Sequence, residues 1–172
     1  MSATGEFVLA ALWLARGARR EQELARAAAT VDDWPAVLVA LEAHGVLGLA
    51  RRNLALAGVA LPPAVATELD SRHAVHRRIE AGFRLTLERF LAAAHARGVA
   101  VTLLKGASLA LDLYGPGALR MQGDLDLLVA PADVPAALAA ARAIGLGQPA
   151  GALPAWWYRR AHFHLKLVPD DP

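Results

Sequence analysis

A helical pattern of apolar side chains continues from Ala64 to Arg97 and constrains the fold more than any other feature of this sequence. Pro63 marks its start and Gly98 marks its end. The side chains that recur at helical spacing are Leu69, His73, His76, Ile79, Phe83, Leu87, Phe90 and Leu91. The pattern predicts one long helix, and we expect His73 and His76 to lie on its surface.

Shorter helices are predicted before this long one. Their predicted positions are Glu6–Ala15, Glu21–Ala29, a segment capped by Asp32 or Asp33 and ended by Gly45, and a segment ended by Gly58. Pro35 falls in the first turn of the third helix, where proline is tolerated. Residues 1–97 are therefore predicted to form a helical N-terminal region.

The character of the sequence changes after Gly98. Strands are predicted at Val99–Leu104, Asp124–Val129 and His162–Val168, with a short helix ended by Gly115 and a helix capped by Asp133 between them. Together with the first 97 residues, this order predicts an α+β protein. Residues 98–172 would form a small mixed β-sheet core of β-α-β-α-β order, and we expect that core to be incomplete at its C-terminal end.

Composition and charge exclude several classes of protein. The chain has no cysteine, so it can form neither a disulfide nor a thiolate metal site. The formal net charge of +2 gives no electrostatic sign of nucleic-acid binding. The apolar run Phe7–Ala15 follows Glu6 rather than basic residues, and it is too short to cross a bilayer. We therefore expect a soluble, cytoplasmic protein.

Two aspartates open the second predicted strand. Asp124 and Asp126 lie two residues apart, so in a strand they share a face, while Leu125, Leu127 and Val129 turn to the other. Paired carboxylates suit Mg²⁺, or the similar Mn²⁺, which is commonly bound by one or two carboxylates together with substrate phosphates. The alternative is that the start of this strand is exposed to solvent and that the two acids only increase its solubility.

A Lys-Gly pair ends the first predicted strand. In Lys105-Gly106-Ala107-Ser108, the glycine would allow a phosphate to approach the backbone at the start of a helix. Ser108 would add a hydroxyl group and Lys105 a positive charge. The alternative is a strand-to-helix turn in which Gly106 relieves strain and Ser108 caps the helix.

The stretch from Leu103 to Val129, LLKGASLALDLYGPGALRMQGDLDLLV, resembles the uncharacterised nucleotidyltransferase family of the DNA polymerase β-like nucleotidyltransferase superfamily. The matching residues are Leu104, Lys105, Gly106, Tyr114, Arg120, Asp124, Asp126, Leu127, Leu128 and Val129. The resemblance implies Mg²⁺-dependent transfer of a nucleoside monophosphate from an NTP such as ATP. The acceptor would be a protein side chain, a small molecule or an RNA end.

The resemblance also implies roles for individual residues. Asp124 and Asp126 would be the catalytic metal ligands, and Gly106 and Ser108 would hold the triphosphate. Arg120 would contact the phosphates or, alternatively, brace its loop.

Two departures from the family pattern have consequences. Ala107 follows Gly106 where the superfamily usually has a second glycine or a serine. A third carboxylate normally comes from a later strand, whereas only Asp170 and Asp171 follow the third predicted strand here, between two prolines that disfavour regular pairing. We therefore expect Mg²⁺–NTP binding with poor transfer. The alternative functions are a catalytically impaired nucleotide-binding module and an antitoxin-like protein-interaction module.

Two further groups near the C-terminus allow more than one interpretation. His162 and His164 share a strand face, and packing or surface positions are favoured over metal ligation because few other ligands accompany them. The run Trp156-Trp157-Tyr158, followed by Arg159 and Arg160, is open to two interpretations: stacking on bases, or an apolar plug at one end of the sheet.

Overall fold

The structure is a computed structural model that describes residues 2–15, 17–115, 119–153 and 164–170. Helices account for 62% of these residues and the strands are short, so this is a mixed α+β protein, as predicted. The helices are α1 (Ala3–Ala11), α2 (Ala18–Ala29), α3 (Trp34–Ala43), α4 (Leu47–Leu56), α5 (Pro63–His95), α6 (Lys105–Leu109) and α7 (Val134–Arg142). A π-helical stretch (Ala110–Tyr114) follows α6, and a 3-10 turn (Pro131–Asp133) precedes α7. The strands are β1 (Thr102–Leu103), β2 (Leu127–Leu128), β3 (Leu146–Gly147) and β4 (Val168–Pro169).

Backbone contacts divide the chain into two compact units. The first unit comprises Met1–Gly82 and Lys105–Asp124, and the second comprises Phe83–Leu104 and Leu125–Pro172. The predicted division into residues 1–97 and 98–172 stays a prediction. None of the described helices is both long enough and apolar enough to cross a membrane.

The first unit has a core of large apolar side chains from α1 to α5. Its fully or nearly fully buried members include Phe7, Leu24, Val37, Leu41, Leu47, Leu54 and Leu69. Phe7 also meets the ring of Trp34 edge to face, with 5.2 Å between the ring centroids, a geometry that adds to the burial of apolar area. The unit is therefore held by helix-on-helix packing.

Local sequence signals account for several helix ends in this unit. The Asp33 carboxylate accepts a hydrogen bond from the Ala36 amide at 2.9 Å, which confirms the predicted cap of α3. Gly45 and Gly58 have φ values of +66° and +64°, as expected of glycines that end helices. The predicted Glu6–Ala15 helix is displaced, because Ser2 caps α1 and starts it at Ala3.

The prediction that His73 and His76 lie on the helix surface is wrong. Their exposed fractions are only 9% and 4%. His76 Nε2 lies 3.5 Å from a carboxylate oxygen of Glu42 in α3. Spacing along one helix shows which residues share a face, but the packing of α3 against that face depends on contacts between distant segments.

The second unit contains a smaller core built around alanine. Phe90, Ala94 and Val99 pack with Ala137, Ala140 and Ala141, and Leu127 and Val129 of the β2 segment pack partly against this cluster. Alanine adds little volume, so α7 can approach its neighbours closely.

The single sheet of β-α-β-α-β order is not confirmed. Within the described residues there are two separate two-stranded antiparallel ladders, β1 with β2 and β3 with β4. Within the described part of the predicted third strand, residues 164–168, only Val168 is in a strand; this strand, β4, continues to Pro169, which pairs with Leu146. Proline is tolerated there because a strand in a two-stranded ladder has an open edge.

Candidate functional site

The β1–β2 ladder fixes the backbone position of Asp126. Thr102 pairs with Leu128 and Leu103 with Leu127, in antiparallel register. The Leu104 amide donates a hydrogen bond of 2.9 Å to the Asp126 carbonyl, which continues the pairing by one residue. The acidic end of the second strand segment therefore pairs with the residue immediately before Lys105.

The side chains of this segment alternate between core and solvent. Leu127 and Val129 pack against the second core, while Leu128 is 55% exposed. In an extended strand Asp126 shares the side of Leu128 rather than that of the core. Asp126 is half-buried and Asp124 is exposed. That the two carboxylates converge on one face stays a prediction.

Lys105 has an unusual backbone conformation. It is the first residue of α6, and its φ of +48° is the one positive value at a non-glycine position among the described residues. Such a conformation costs free energy for a residue with a side chain and is often found at functional sites. The strained backbone position thus falls on Lys105, not on Gly106 as the turn interpretation expected.

Ser108 does not cap α6. It is the fourth residue of that helix, and its hydroxyl donates a hydrogen bond of 3.0 Å to the Asp112 carboxylate one turn later. The cap interpretation is therefore wrong. A role for Ser108 in holding a triphosphate stays a prediction.

Arg120 and Gly106, predicted separately as nucleotide-binding residues, lie together in the first unit. A methyl group built on Gly106 would lie 3.4 Å from Arg120 Nη1 and 3.7 Å from Gln122 Cγ. Arg120 is half-buried, and no hydrogen bond or ion pair joins its guanidinium to another residue in the described part of the chain. A half-buried cation of this kind has N–H donors available for an anion.

Gln122 was not singled out from the sequence. Its side chain covers the same face of Gly106 as Arg120 does. The sequence signal that could have identified Gln122 was its position two residues after Arg120. In an extended segment this spacing places both side chains on the same side.

Among the described residues, no third carboxylate joins the aspartate pair to form a metal site. Within the described ranges, no group of three or more His, Asp or Glu side chains could hold a metal ion. The Asp170 amide donates to the Gly145 carbonyl at 2.9 Å, and the Asp170 carboxylate fills the space beside Gly147. Asp171 lies outside the described residues.

The remaining candidates are placed only in part. His164 is exposed, consistent with a surface position. The predictions for His162 and for Trp156-Trp157-Tyr158 with Arg159 and Arg160 concern residues that the structure does not describe.

Comparison with known protein families shows to which family the chain belongs. The family model described as uncharacterised nucleotidyltransferase matches residues 30–167, which is most of the chain. The chain belongs to this nucleotidyltransferase family. Neither the comparison with curated proteins nor that with solved structures gave a match.

The match confirms the resemblance drawn from the Lys-Gly and Asp-x-Asp segments. It also extends beyond them, since it begins before α3 and so includes the helices α3, α4 and α5. Membership of the family implies a nucleotide substrate.

Proposed function

We propose that this protein binds an NTP together with a divalent metal ion and transfers the nucleoside monophosphate to an acceptor. Family membership supports a nucleotide substrate. The observation that carries the proposal is the guanidinium of Arg120 beside Gly106. Because glycine has no side chain, a phosphate can approach the backbone there while it contacts the cation.

The two aspartates suit a hard metal ion. Carboxylate oxygens are preferred by Mg²⁺ and Mn²⁺, which commonly take one or two of them and fill the remaining positions with water and phosphate oxygens. Asp124 is exposed and Asp126 half-buried, so an ion arriving with a triphosphate has access to them. When bound, the metal supplies positive charge that stabilises the phosphates during displacement.

The other candidates are proposed to bind and orient the triphosphate. Lys105 and Arg120 contact phosphate oxygens, and Gly106 allows their close approach. The Ser108 hydroxyl, which donates to Asp112 in the structure, would turn toward a phosphate oxygen instead. In the reaction the acceptor hydroxyl loses its proton to solvent and its oxygen forms a bond to the α-phosphorus, while the bond from that phosphorus to the α–β bridging oxygen breaks and pyrophosphate leaves.

Calorimetry of Mg²⁺–NTP binding tests the site. The wild type is compared with the Asp124→Asn, Asp126→Asn double variant and with Arg120→Ala. Asp133→Asn is a matched control, because Asp133 makes no cap hydrogen bond through its side chain. We expect the site variants to bind at least about tenfold more weakly, since each loses charge-assisted contacts. Equal affinity of the double variant and the wild type would contradict the metal assignment.

Transfer is tested with NTPs labelled at the α-phosphate and a cell lysate as the source of acceptors. Label that depends on Asp126 supports an enzyme, and its sensitivity to protease or ribonuclease distinguishes protein, RNA and small-molecule acceptors. Tight binding without transfer would favour the catalytically impaired nucleotide-binding module. Absence of both binding and transfer would refute the proposed function.

A further inference from the structure

The turn between α3 and α4 ends one helix by a pattern that favours glycine. The Gly45 amide donates to the Glu42 carbonyl at 2.9 Å, and the Val46 amide donates to the Leu41 carbonyl, also at 2.9 Å. These two bonds define a Schellman motif, in which the residue at the Gly45 position adopts a left-handed conformation. The φ of Gly45 is +66°, in agreement.

The same turn is bound to the loop that carries Arg120. Val46 precedes α4 and cannot cap it with its side chain. The Leu49 amide, in the first turn of α4, instead donates to the Leu119 carbonyl at 2.9 Å, and the Met121 amide donates to the Gly45 carbonyl at 2.7 Å. The first amides of a helix have no hydrogen-bond partner inside the helix. The Leu49 amide therefore bonds to a distant carbonyl, that of Leu119.

These two hydrogen bonds lie on either side of Arg120. They fix the backbone immediately before and after it, while its guanidinium reaches Gly106. We propose that the α3–α4 turn, and Gly45 in particular, positions Arg120 for phosphate binding. This inference rests on the proposed function, and it gives the helical part of the first unit a role in the nucleotide site.

Gly45 and Gly58 form a natural matched pair for a test. Gly58 ends α4 with the same motif, in which its amide donates to Ala55 and the Val59 amide donates to Leu54. Its φ of +64° is nearly that of Gly45. A methyl group on Gly45 would lie 3.3 Å from Met121 Cβ, whereas one on Gly58 has no atom within 4 Å. Alanine therefore adds similar backbone strain at both positions but crowds the Arg120 loop only at Gly45.

The experiment measures Mg²⁺–ATP affinity of Gly45→Ala and Gly58→Ala, each with and without Arg120→Ala. We expect Arg120→Ala to weaken binding about tenfold or more and Gly45→Ala about threefold or more, with Gly58→Ala close to wild type. In the Arg120→Ala background, Gly45→Ala should add nothing beyond Gly58→Ala, because its effect acts through the missing arginine.

Two further measurements separate positioning from general loss of structure. Gly45→Asn and Gly58→Asn repeat the comparison with a residue that accepts the left-handed conformation more readily than alanine does, should Gly45→Ala fold poorly. Amide hydrogen exchange should show faster exchange at Leu49 and Met121 in the Gly45 variants but not in the Gly58 variants.

The possible failures are distinguishable. If Arg120→Ala binds Mg²⁺–ATP as tightly as wild type, the assignment of Arg120 to the nucleotide site is lost and the positioning role with it. If binding depends on Arg120 but the Gly45 and Gly58 variants bind alike, the proposed function stands and the positioning role is overturned.

Discussion

Asn53 should be among the most sensitive positions for stability in the first unit. It is fully buried, and its amide nitrogen donates to the Ala11 carbonyl at 2.7 Å and to the Trp13 carbonyl at 2.8 Å. Its amide oxygen accepts from Arg52 at 3.0 Å and 2.9 Å. One side chain on α4 thus binds the end of α1 and the segment after it.

The loss of stability in Asn53→Ala follows from the groups that lose a hydrogen-bond partner. Trp13 keeps a bond from Arg52 at 2.9 Å, but Ala11, in the last turn of α1, loses the side-chain donor to its carbonyl. Burial lowers the pKa of Arg52, which stays protonated at neutral pH, so its guanidinium also needs the lost oxygen. The unsatisfied Ala11 carbonyl costs about 1–3 kcal/mol and the loss of the Asn53 oxygen as an acceptor for Arg52 about 1 more, which together give about 2–4 kcal/mol.

A neighbouring ion pair provides the control. Arg51 Nε lies 2.6 Å from the Asp70 carboxylate, a contact no longer than those of Asn53, but the two side chains are 41% and 61% exposed. Exposed pairs contribute about 0–1 kcal/mol because water competes for both charges. Arg51→Ala should therefore cost much less than Asn53→Ala, although it removes a full charge.

Urea denaturation measures both changes. Trp156→Phe and Trp157→Phe are introduced first, so that fluorescence reports on Trp13 and Trp34 of the first unit. Asn53→Asp is a further test, since it would replace the donor nitrogen by an oxygen facing two carbonyl oxygens and should be at least as costly as Asn53→Ala. A loss below about 1 kcal/mol for Asn53→Ala, or one no larger than for Arg51→Ala, would refute the reasoning.

Two other predictions test the packing and capping derived above. Asp33→Ala should lower the free energy of unfolding by about 1 kcal/mol, whereas Asp133→Ala should change it by less than about 0.5 kcal/mol, because only Asp33 accepts a cap hydrogen bond through its side chain; equal effects in urea denaturation would contradict this. His76→Leu should leave the free energy of unfolding within about 1 kcal/mol of wild type, because His76 Nδ1 is buried with no partner among the described residues and its contact with Glu42 is long. If thermal unfolding showed a loss of unfolding free energy above about 2 kcal/mol, the prediction would be refuted, because the imidazole would then make an interaction of that strength.

The parts of the fold that follow from neighbouring residues could be predicted from the sequence. Asp33 with Pro35, and the glycines Gly45 and Gly58, end or start helices through contacts within one turn, and these ends were predicted. Asp133 occupies the cap position of α7, as the same rule predicted, but a 3-10 turn ends there and the Asp133 side chain makes no cap hydrogen bond. A residue type favours a cap without ensuring the local geometry.

The pairing of strands was harder to predict from the sequence. The antiparallel β1–β2 ladder joins two segments of the family motif, both of which were predicted as strands of one small sheet. The β3–β4 ladder joins Leu146–Gly147 to Val168–Pro169, which are short and lack alternation of apolar and polar residues. Strands of two residues carry too little periodicity to be recognised, so their pairing depends on contacts that the sequence pattern does not express.

The candidate site shows the same limit of prediction from sequence, but here the contact that was missed has a recognisable signal. The motif identified Gly106 and Arg120 but gave no reason to connect Arg120 with the α3–α4 turn, about 70 residues earlier in the chain. A local signal of that connection does exist, because the predicted helix after Gly45 begins at Val46 and Leu47, neither of which can cap it. Leu47 is fully buried, so the first amides of this helix have little access to water and need an acceptor from another part of the chain. A buried helix start without a capping residue therefore predicts a distant carbonyl, and here that carbonyl belongs to the residue before Arg120.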